Sequence, residues 1–205
     1  MRLRQLEIAL QGLAGFSGPR AALEQYTTPA PLAARLLFLA AGHGDLEGRS
    51  VLDLGAGTGV LACGTALLGA VGVTGVEVDP AALEVARTNA SRLGVEVEWV
   101  EGDVADLPAP VRDRRFDTVV MNPPFGAQVR HADRPFVDAA LARGRIVYGI
   151  FNRGSLPFVT SYVGDRGECT EAVAAELVLP RSMRHHTKDR VAIPVECVRL
   201  RSRVA

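Results

Sequence analysis

The sequence predicts an α/β fold with a doubly wound sheet of about seven strands, mostly parallel, that ends in a C-terminal antiparallel hairpin. Apolar β-type runs alternate with helical patterns up to residue 163, as in sheets with helices on both faces. A glycine-rich loop at residues 55–59 joins the first central strand directly to a helix. Two β-type runs at residues 174–179 and 191–200 are expected to pair as the hairpin.

The helices are predicted from apolar residues that recur every three or four positions, and from the breakers that end each run. These stretches are residues 3–13, 31–41, 61–68, 80–93, 136–141 and 156–163. Asp79 stands where the N-cap of the fourth stretch is expected. The strands before the hairpin are predicted from β-branched and aromatic runs at residues 50–54, 73–78, 95–100, 116–121 and 146–151. Residues 106–115 read as a polar loop.

Length and composition limit the protein class. A chain of 205 residues with 48% hydrophobic composition is long enough for one domain with a sizeable core and too short for two ordinary ones. We therefore predict a single domain over residues 1–205, in which residues 1–48 form a helical segment that contributes to the cofactor site. A formal net charge of zero argues against a broad non-specific nucleic-acid binder, although it is compatible with a local basic patch.

The cysteines favour a reducing compartment. Cys63, Cys169 and Cys197 are far apart and odd in number, and no Cys-x-x-Cys pair is present, so we expect buried thiols without a disulfide framework or metal site. No signal peptide and no apolar run of about 18 residues occurs. The sequence therefore predicts a soluble, cytoplasmic protein.

The strand at residues 116–121 stops at Asn122-Pro123-Pro124-Phe125, the centre of the predicted site. Two successive prolines cannot continue a strand, because neither has an N–H for the ladder. In an open parallel sheet, ligands bind at the carboxyl ends of the strands. The Asn122 side-chain carbonyl and a proline backbone carbonyl can converge there beside the Phe125 ring, which suits a flat molecule with an amino group. A stiff structural turn is the alternative interpretation.

A strand, a glycine-rich loop and a helix in this order predict a nucleotide-type site, since glycine lets the backbone approach a ligand closely. Glu77 ends the next strand, where it can accept hydrogen bonds from a ribose diol. Asp53 would repel a pyrophosphate and attract an ammonium group, which favours S-adenosylmethionine over NAD. A local turn-capping bond is the alternative role for Asp53. Asp103 is a candidate acceptor for an adenine amino group, or a turn former.

Two polar segments carry further candidates. Gln25-Tyr26-Thr27-Thr28-Pro29 precedes a helix N-terminus, where free N–H groups and hydroxyls gather around a ligand, and a simple N-cap is its alternative interpretation. Residues 180–190 form the most basic stretch, which is expected to contact phosphate beside the cleft or to be merely solvated. Its adjacent histidines lack a third ligand, so no metal is predicted. The candidate contacts to a nucleic-acid substrate are Arg130, Arg181, Arg184, His186 and Lys188.

These motifs together resemble the class I S-adenosylmethionine-dependent amino-methyltransferases, through Asp-Leu-Gly-Ala-Gly-Thr-Gly at residues 53–59 with Glu77, Asp103 and Asn-Pro-Pro-Phe. A narrower similarity spans almost the whole chain in order. It connects the chain to methyltransferase-like protein 5 and its archaeal relatives, which are N6-adenine methyltransferases acting on small-subunit ribosomal RNA. The segments that carry it are residues 23–29, 64–66, 68–70, 121–126 and 179–199.

The resemblance implies a Rossmann-like class I fold, S-adenosyl-L-methionine as cofactor and methyl transfer to the N6 amine of an adenosine in ribosomal RNA. It implies cofactor contacts, besides Asp53 and Gly57 from the loop argument, at Gln25, Thr28, Gly55, Thr58, Val60, Glu77, Asp103 and Val104. It implies catalytic roles for Asn122, Pro123, Pro124 and Phe125. Family members can also work with a small zinc-binding activator that adds a strand to the sheet edge, here near the third strand. An archaeal or eukaryotic source follows from the resemblance alone.

Residues 128–135 match the family poorly, and two other functions stay open. A protein-glutamine N5-methyltransferase also presents an amide nitrogen to an Asn-Pro-Pro motif, although those enzymes usually have tyrosine where Phe125 stands. A non-catalytic cofactor-binding or RNA-binding subunit is disfavoured by the complete motif and the retained loop acids.

Overall fold

The computed structural model describes residues 1–126, 131–180 and 190–204. Its strands are β1 Val51–Leu54, β2 Val73–Glu77, β3 Glu98–Glu101, β4 Phe116–Met121, β5 Gly144–Asn152, β6 Gly167–Pro180 and β7 Arg190–Ser202. Its α-helices are α1 Leu3–Gln11, α2 Ala30–Gly42, α3 Val60–Leu67, α4 Pro80–Leu93, α5 Ala109–Arg112, α6 Arg134–Arg143 and α7 Leu156–Val163. Short 3₁₀ turns occur at Ala21–Leu23 and Gly164–Arg166.

The strands form one sheet in the order β3-β2-β1-β4-β5-β7-β6. Strands β1 to β5 are parallel, and β7 lies between β5 and β6, antiparallel to both. After β3 the chain returns to the other side of β1, so the carboxyl ends of β1 and β4 flank a topological switch point where ligands bind. The predicted fold class, a mostly parallel sheet with a C-terminal antiparallel hairpin, is confirmed.

Side-chain alternation along the strands divides the core into two layers. In β4, Val120 packs with leucines of α1, α2 and α3, whereas Val119 and Met121 pack with α6 and α7 on the opposite face. In β1, the same alternation places Leu54 on the α6 side and turns Asp53 toward α3. A polar side chain in the middle of a buried strand is thereby brought to the start of α3.

The three largest differences from the sequence prediction have local reasons. β3 begins at Glu98 instead of residue 95, because Gly94 ends α4 in the left-handed region and the Val95 N–H bonds back to the Ala90 carbonyl. The expected loop at residues 106–115 contains α5, whose Val111 is buried. β6 starts at Gly167, well before residue 174. The prediction missed its first part because consecutive exposed residues on this edge strand hide the alternation that marks a strand.

The cysteines are free thiols, of which Cys63 and Cys197 are buried and Cys169 is half-buried. Burial raises the pKa of Cys63 to about 12 and that of Cys197 to about 11, so both are protonated at neutral pH. Within the described ranges, no helix is both long and apolar enough to cross a bilayer.

Candidate cofactor and catalytic site

A cavity of about 330 Å³ opens at the carboxyl edge of the sheet, at the switch point between β1 and β4. The loop after β1, the end of β2 and the turn after β3 form one side of it, while the start of the Asn-Pro-Pro-Phe motif and the N-terminal segment form the other. All ten predicted cofactor contacts line this single cavity, namely Gln25, Thr28, Asp53, Gly55, Gly57, Thr58, Val60, Glu77, Asp103 and Val104.

The glycine-rich loop is shaped by two aromatic rings that approach it closely. Gly55 and Gly57 have φ of 68° and 53°, a region that side-chain-bearing residues rarely adopt. A Cβ on Gly55 would lie 2.7 Å from the ring of Phe136, and one on Gly57 would lie 2.9 Å from the ring of Phe16. Both rings line the cavity and were missed by the sequence prediction, because each is a lone aromatic outside any motif. The loop therefore presents bare backbone to a ligand.

Asp53 combines a structural bond with an unsatisfied oxygen. Its side chain is 1% exposed, and its Oδ2 accepts the Ala62 N–H at 2.9 Å, which caps the first turn of α3. Its Oδ1 is buried and has no hydrogen-bond partner in the described part of the chain. Burial raises the Asp53 pKa to about 7, the Ala62 N–H opposes this rise, and the charge of Glu77 adds to it. A buried carboxylate that lines the cavity and keeps one oxygen without a partner fits an ammonium group.

Glu77 fastens the glycine loop to the end of β2. Its Oε2 accepts the Gly57 N–H at 2.8 Å and its Oε1 accepts the Asp79 N–H at 3.0 Å. Each carboxylate oxygen can accept a further bond, so this buried side chain suits a diol at the cavity wall. Asp79 also caps α4 through the Ala81 N–H, as the sequence predicted.

Gln25 lines the cavity, but its side-chain amide already has two partners. Its Nε2 donates to Asp79 Oδ2 at 2.9 Å, and its Oε1 accepts the Arg20 N–H at 2.8 Å. The first of these bonds is also the main cause that lowers the pKa of Asp79. Gln25 therefore ties the N-terminal segment to the start of α4, beside the Glu77 carboxylate.

The N-terminal segment is fastened to the Asn-Pro-Pro-Phe motif. The Tyr26 hydroxyl donates to Asn122 Oδ1 at 3.2 Å, and Asn122 Nδ2 donates to Thr28 Oγ1 at 2.9 Å. The Phe125 N–H donates to Glu24 Oε2 at 2.8 Å. The N-cap of α2 is Pro29, with no side-chain capping bond, so the interpretation of this segment as a simple N-cap is wrong.

The Asn122 amide is held at both ends. Burial raises the pKa of Tyr26 well above its usual value, so its hydroxyl stays protonated at neutral pH and can donate to Asn122. An amide oxygen has two lone pairs, and Tyr26 uses one of them. A second donor in the cavity can therefore bind Asn122 without displacing the first.

The remaining motif residues are placed differently. Pro124 lines the cavity, and Pro123, between it and the cavity-lining Asn122, is buried. The Phe125 ring packs on the edge of the core and lies 6.0 Å from the Tyr26 ring, tilted by 46°. Sequence reasoning included Tyr26 in the polar segment but did not assign it to the site, because its bond to Asn122 spans 96 positions of the chain.

Asp103 serves as a turn former and also lines the cavity. Its Oδ1 accepts the Ala105 N–H at 2.8 Å, the Asx-type bond that the sequence allowed. Val104 beside it is buried and contributes apolar surface. A polar turn next to an apolar side chain suits the edge of an adenine ring.

The five predicted nucleic-acid contacts, Arg130, Arg181, Arg184, His186 and Lys188, lie outside the described residues. Pro180 and Arg190, which flank the last four, are partners at the end of the β6–β7 hairpin. Among the residues that are described, no group of three or more His, Cys, Asp and Glu side chains could hold a metal ion.

Comparison with known proteins gives the chain its family. The model of the methyltransferase small domain matches residues 33–146. The rRNA N(6)-adenosine-methyltransferase Mettl5 of Drosophila melanogaster is 37% identical over 86% of this chain and 84% of its own length. METTL5 of Danio rerio is 32% identical over 97% of this chain and 98% of its own length. A candidate RNA methyltransferase from Pyrococcus horikoshii superposes with a TM-score of 0.89 at 38% identity, and the match covers 98% of both chains.

These matches extend over the elements that build the cavity, and they confirm the resemblance found in the sequence motifs. The unsatisfied Asp53 oxygen, the Glu77 carboxylate and the bare loop fit the aminoacyl and ribosyl parts of S-adenosyl-L-methionine. The chain therefore belongs to the methyltransferase small domain family and to the S-adenosyl-L-methionine-dependent rRNA N6-adenosine-methyltransferases formed by methyltransferase-like protein 5 and its archaeal homologues.

Proposed function

We propose that this protein transfers a methyl group from S-adenosyl-L-methionine to the N6 amine of an adenosine in small-subunit ribosomal RNA. The observation that carries the proposal is the anchoring of the Asn122 amide by Tyr26 and Thr28 at the cavity wall. This anchoring leaves one acceptor position of the side-chain oxygen for a substrate amine. The family relation to rRNA N6-adenosine-methyltransferases supports adenine as the base.

The cofactor is proposed to lie along the carboxyl ends of β1, β2 and β3. Its ammonium group would meet Asp53 Oδ1, its ribose hydroxyls Glu77, and its adenine the turn at Asp103 and Val104. Bound in this way, it supplies an electrophilic methyl group on a sulfonium centre. The proposal predicts that Asp53 is ionised in the complex, because a neighbouring cation lowers a carboxyl pKa.

Catalysis is proposed to depend on positioning and hydrogen bonding more than on a strong base. The lone pair of the adenine N6 amine is delocalised into the ring, which makes the amine a poor nucleophile. Hydrogen bonds from its two hydrogens to Asn122 Oδ1 and to the Pro123 backbone carbonyl would localise that lone pair. The amine proton becomes acidic only as the bond from N6 to the methyl carbon forms. Acceptors that are fixed before the reaction therefore favour the transition state.

Phe125 is proposed to stack on an adenine that has swung out of its neighbours in the RNA. Its backbone bond to Glu24 and the Tyr26 ring beside it fix its position relative to Asn122. Anchoring both the Asn122 acceptor and the Phe125 ring to the same N-terminal segment would keep the base aligned with the methyl group.

The wider interactions are proposed from sequence and topology. Arg130, Arg181, Arg184, His186 and Lys188 are proposed to contact RNA phosphates. The protein is proposed to act in the cytoplasm.

A small zinc-binding activator protein could add a strand to the outer edge of β3, which is the terminal strand on that side of the sheet.

A transfer assay with labelled cofactor tests the proposed reaction. The substrate is small-subunit RNA from a strain that lacks the protein, with large-subunit RNA as the matched control, and the product is identified by nucleoside analysis. N6-methyladenosine in small-subunit RNA alone is expected. Label in protein would instead favour the glutamine N5-methyltransferase, and cofactor binding without turnover on any RNA would favour a non-catalytic subunit.

A further inference from the structure

A stack of aromatic and cationic side chains lies beside the cavity and has no part in the site described so far. We call His131, Arg134, Phe158 and Tyr162 the Arg134 stack. The His131 and Phe158 rings lie 5.9 Å apart and are parallel within 19°, and the Phe158 and Tyr162 rings have the same spacing and angle. The Arg134 guanidinium lies over the two α7 rings, 5.3 Å from Phe158 and 5.1 Å from Tyr162. The three rings and the cation thus form one continuous cluster.

The stack lies next to the cavity, because two of its residues are sequence neighbours of residues that line the cavity. Ala132 and Pro135 line the cavity, and each is the immediate neighbour of a stack residue. Helix α7 follows the carboxyl end of β5, which pairs with β4, the strand that ends at Asn122. The stack therefore lies at the same edge of the sheet as the Asn-Pro-Pro-Phe motif, where nucleotides flanking a bound adenine would pass.

Of the two arginines that lie over the α7 rings, Arg166 is bound to a carboxylate, whereas Arg134 is available to bind a ligand. Arg166 Nη1 bonds Asp138 at 2.6 Å and its guanidinium lies over the Tyr162 ring, while the Tyr162 hydroxyl donates to the same carboxylate at 2.8 Å. Arg134 has no carboxylate partner among the described residues, and its buried Nε has no hydrogen-bond partner there either. A guanidinium stacked on a ring keeps its N–H donors in its own plane, where they can meet a phosphate.

The neighbouring aromatic surface is accessible. The Phe158 side chain is 37% exposed, and the His131 side chain is also exposed. An exposed aromatic plate next to an unpaired guanidinium is the combination that single-stranded RNA uses, with the base on the ring and the backbone on the cation.

We propose that the Arg134 stack binds a nucleotide flanking the target adenosine, with its base on Phe158 and its phosphate on Arg134. This inference rests on the proposed RNA substrate and deepens it, because it names residues that hold the RNA outside the reacting base. Phe158 and Arg134 are positioning residues. They do not contact the cofactor or the transferred methyl group.

The test measures binding of a fluorescein-labelled single-stranded RNA of about ten nucleotides with a central adenosine, by anisotropy at several salt concentrations. Phe158→Ala removes the plate, and Phe158→Tyr restores it. Arg134→Ala removes the cation, and Arg134→Lys keeps the charge without the planar fork. Arg87→Ala is the matched control, since it removes one exposed arginine that pairs with Glu84 on α4, away from the cavity.

Phe158→Ala is expected to weaken RNA binding roughly 5- to 150-fold with an unchanged salt slope, and Phe158→Tyr to bind like wild type. Arg134→Ala is expected to reduce the salt slope by about 0.7, the value for one phosphate contact on a single strand. Arg134→Lys should keep the slope but lose affinity. In turnover, both alanine variants should raise KM for RNA with kcat little changed.

Cofactor binding by each variant shows that the cavity is folded, and if Phe158→Ala fails to fold, the salt slope of Arg134→Ala decides. Alanine variants at Arg134 and Phe158 that bind RNA as tightly as Arg87→Ala would overturn the proposal. If wild type methylates RNA while all variants bind it equally, only the stack is refuted. If wild type binds RNA through the stack but forms no N6-methyladenosine, the proposed function fails and the stack stands.

Discussion

Asp53→Asn is expected to stabilise the cofactor-free protein above about pH 7 while weakening cofactor binding. Burial raises the Asp53 pKa from 3.8 to about 7, a difference of about 3 units, each worth about 1.36 kcal/mol. The folded state therefore binds the proton more tightly than the unfolded state. The stabilisation of the folded state by this bound proton is complete below about pH 4 and is lost as the pH rises to about 7. The loss amounts to at most about 4 kcal/mol. Asparagine carries no charge and can still accept the Ala62 N–H.

The assay is urea unfolding of wild type and Asp53→Asn, from about pH 5 to about pH 8, without cofactor. The difference in unfolding free energy between the two proteins isolates Asp53 from other titrating groups. It should grow in favour of the variant by up to about 1.4 kcal/mol per pH unit and level off above about pH 7. A difference that does not change with pH between 5 and 7 would refute the assignment of an ionisation penalty to this residue.

Asp117→Asn is the matched control, with the opposite sign. Its carboxylate accepts the Ser50 N–H and hydroxyl, and these bonds lower the Asp117 pKa, the backbone bond most. Its contribution to stability is present above the unfolded pKa and is lost as the pH falls through the folded pKa. Asp117→Asn should therefore destabilise the protein near neutral pH. In the same samples, Asp53→Asn should bind cofactor about 10- to 150-fold more weakly, the range for a lost charged hydrogen bond, and Asp117→Asn should bind it normally.

Two further substitutions test the shape of the site. Tyr26→Phe removes the hydroxyl that donates to Asn122 and keeps the ring, so kcat should fall about 2- to 12-fold at unchanged cofactor affinity, as measured by single-turnover kinetics. Gly57→Ala should lower cofactor affinity at least about 10-fold by calorimetry, because its Cβ would lie 2.9 Å from Phe16. Gly72 also has a positive φ, but a Cβ there would meet open space, so Gly72→Ala should lose only about 1 kcal/mol of stability. Equal cofactor affinities for the two alanine variants would contradict the steric argument.

The sequence predicted those features whose cause is local. Two prolines end β4 just before Asn122 whatever surrounds them, and the glycine-rich loop joins β1 directly to the start of α3, as its glycines predicted. Asp79 caps α4 through a bond to a residue two positions away. Such features need only the neighbouring chain, so their positions were right.

The features that the sequence missed are long-range contacts. The bond from the Phe125 N–H to Glu24 spans 101 positions, and Phe16 meets the glycine loop although no pattern connects them. The bond between Gln25 and Asp79 spans 54 positions. These contacts depend on where α2 packs on the sheet, which local periodicity does not specify. The side of the cavity that the N-terminal segment forms was therefore visible in the sequence only as a polar stretch.

The most direct test of the central claim is the single-turnover rate of Asn122→Ala on small-subunit ribosomal RNA, measured together with its cofactor affinity. We expect methyl transfer to fall at least about 10²- to 10³-fold, because a fixed hydrogen-bond partner of the reacting amine is lost. Cofactor affinity should stay within about twofold of wild type, since the proposed contacts to the ammonium group, the ribose and the adenine lie at the ends of β1, β2 and β3. A variant that binds cofactor normally and still transfers methyl groups at near wild-type rate would contradict the assignment of Asn122 as the group that activates the adenine amine.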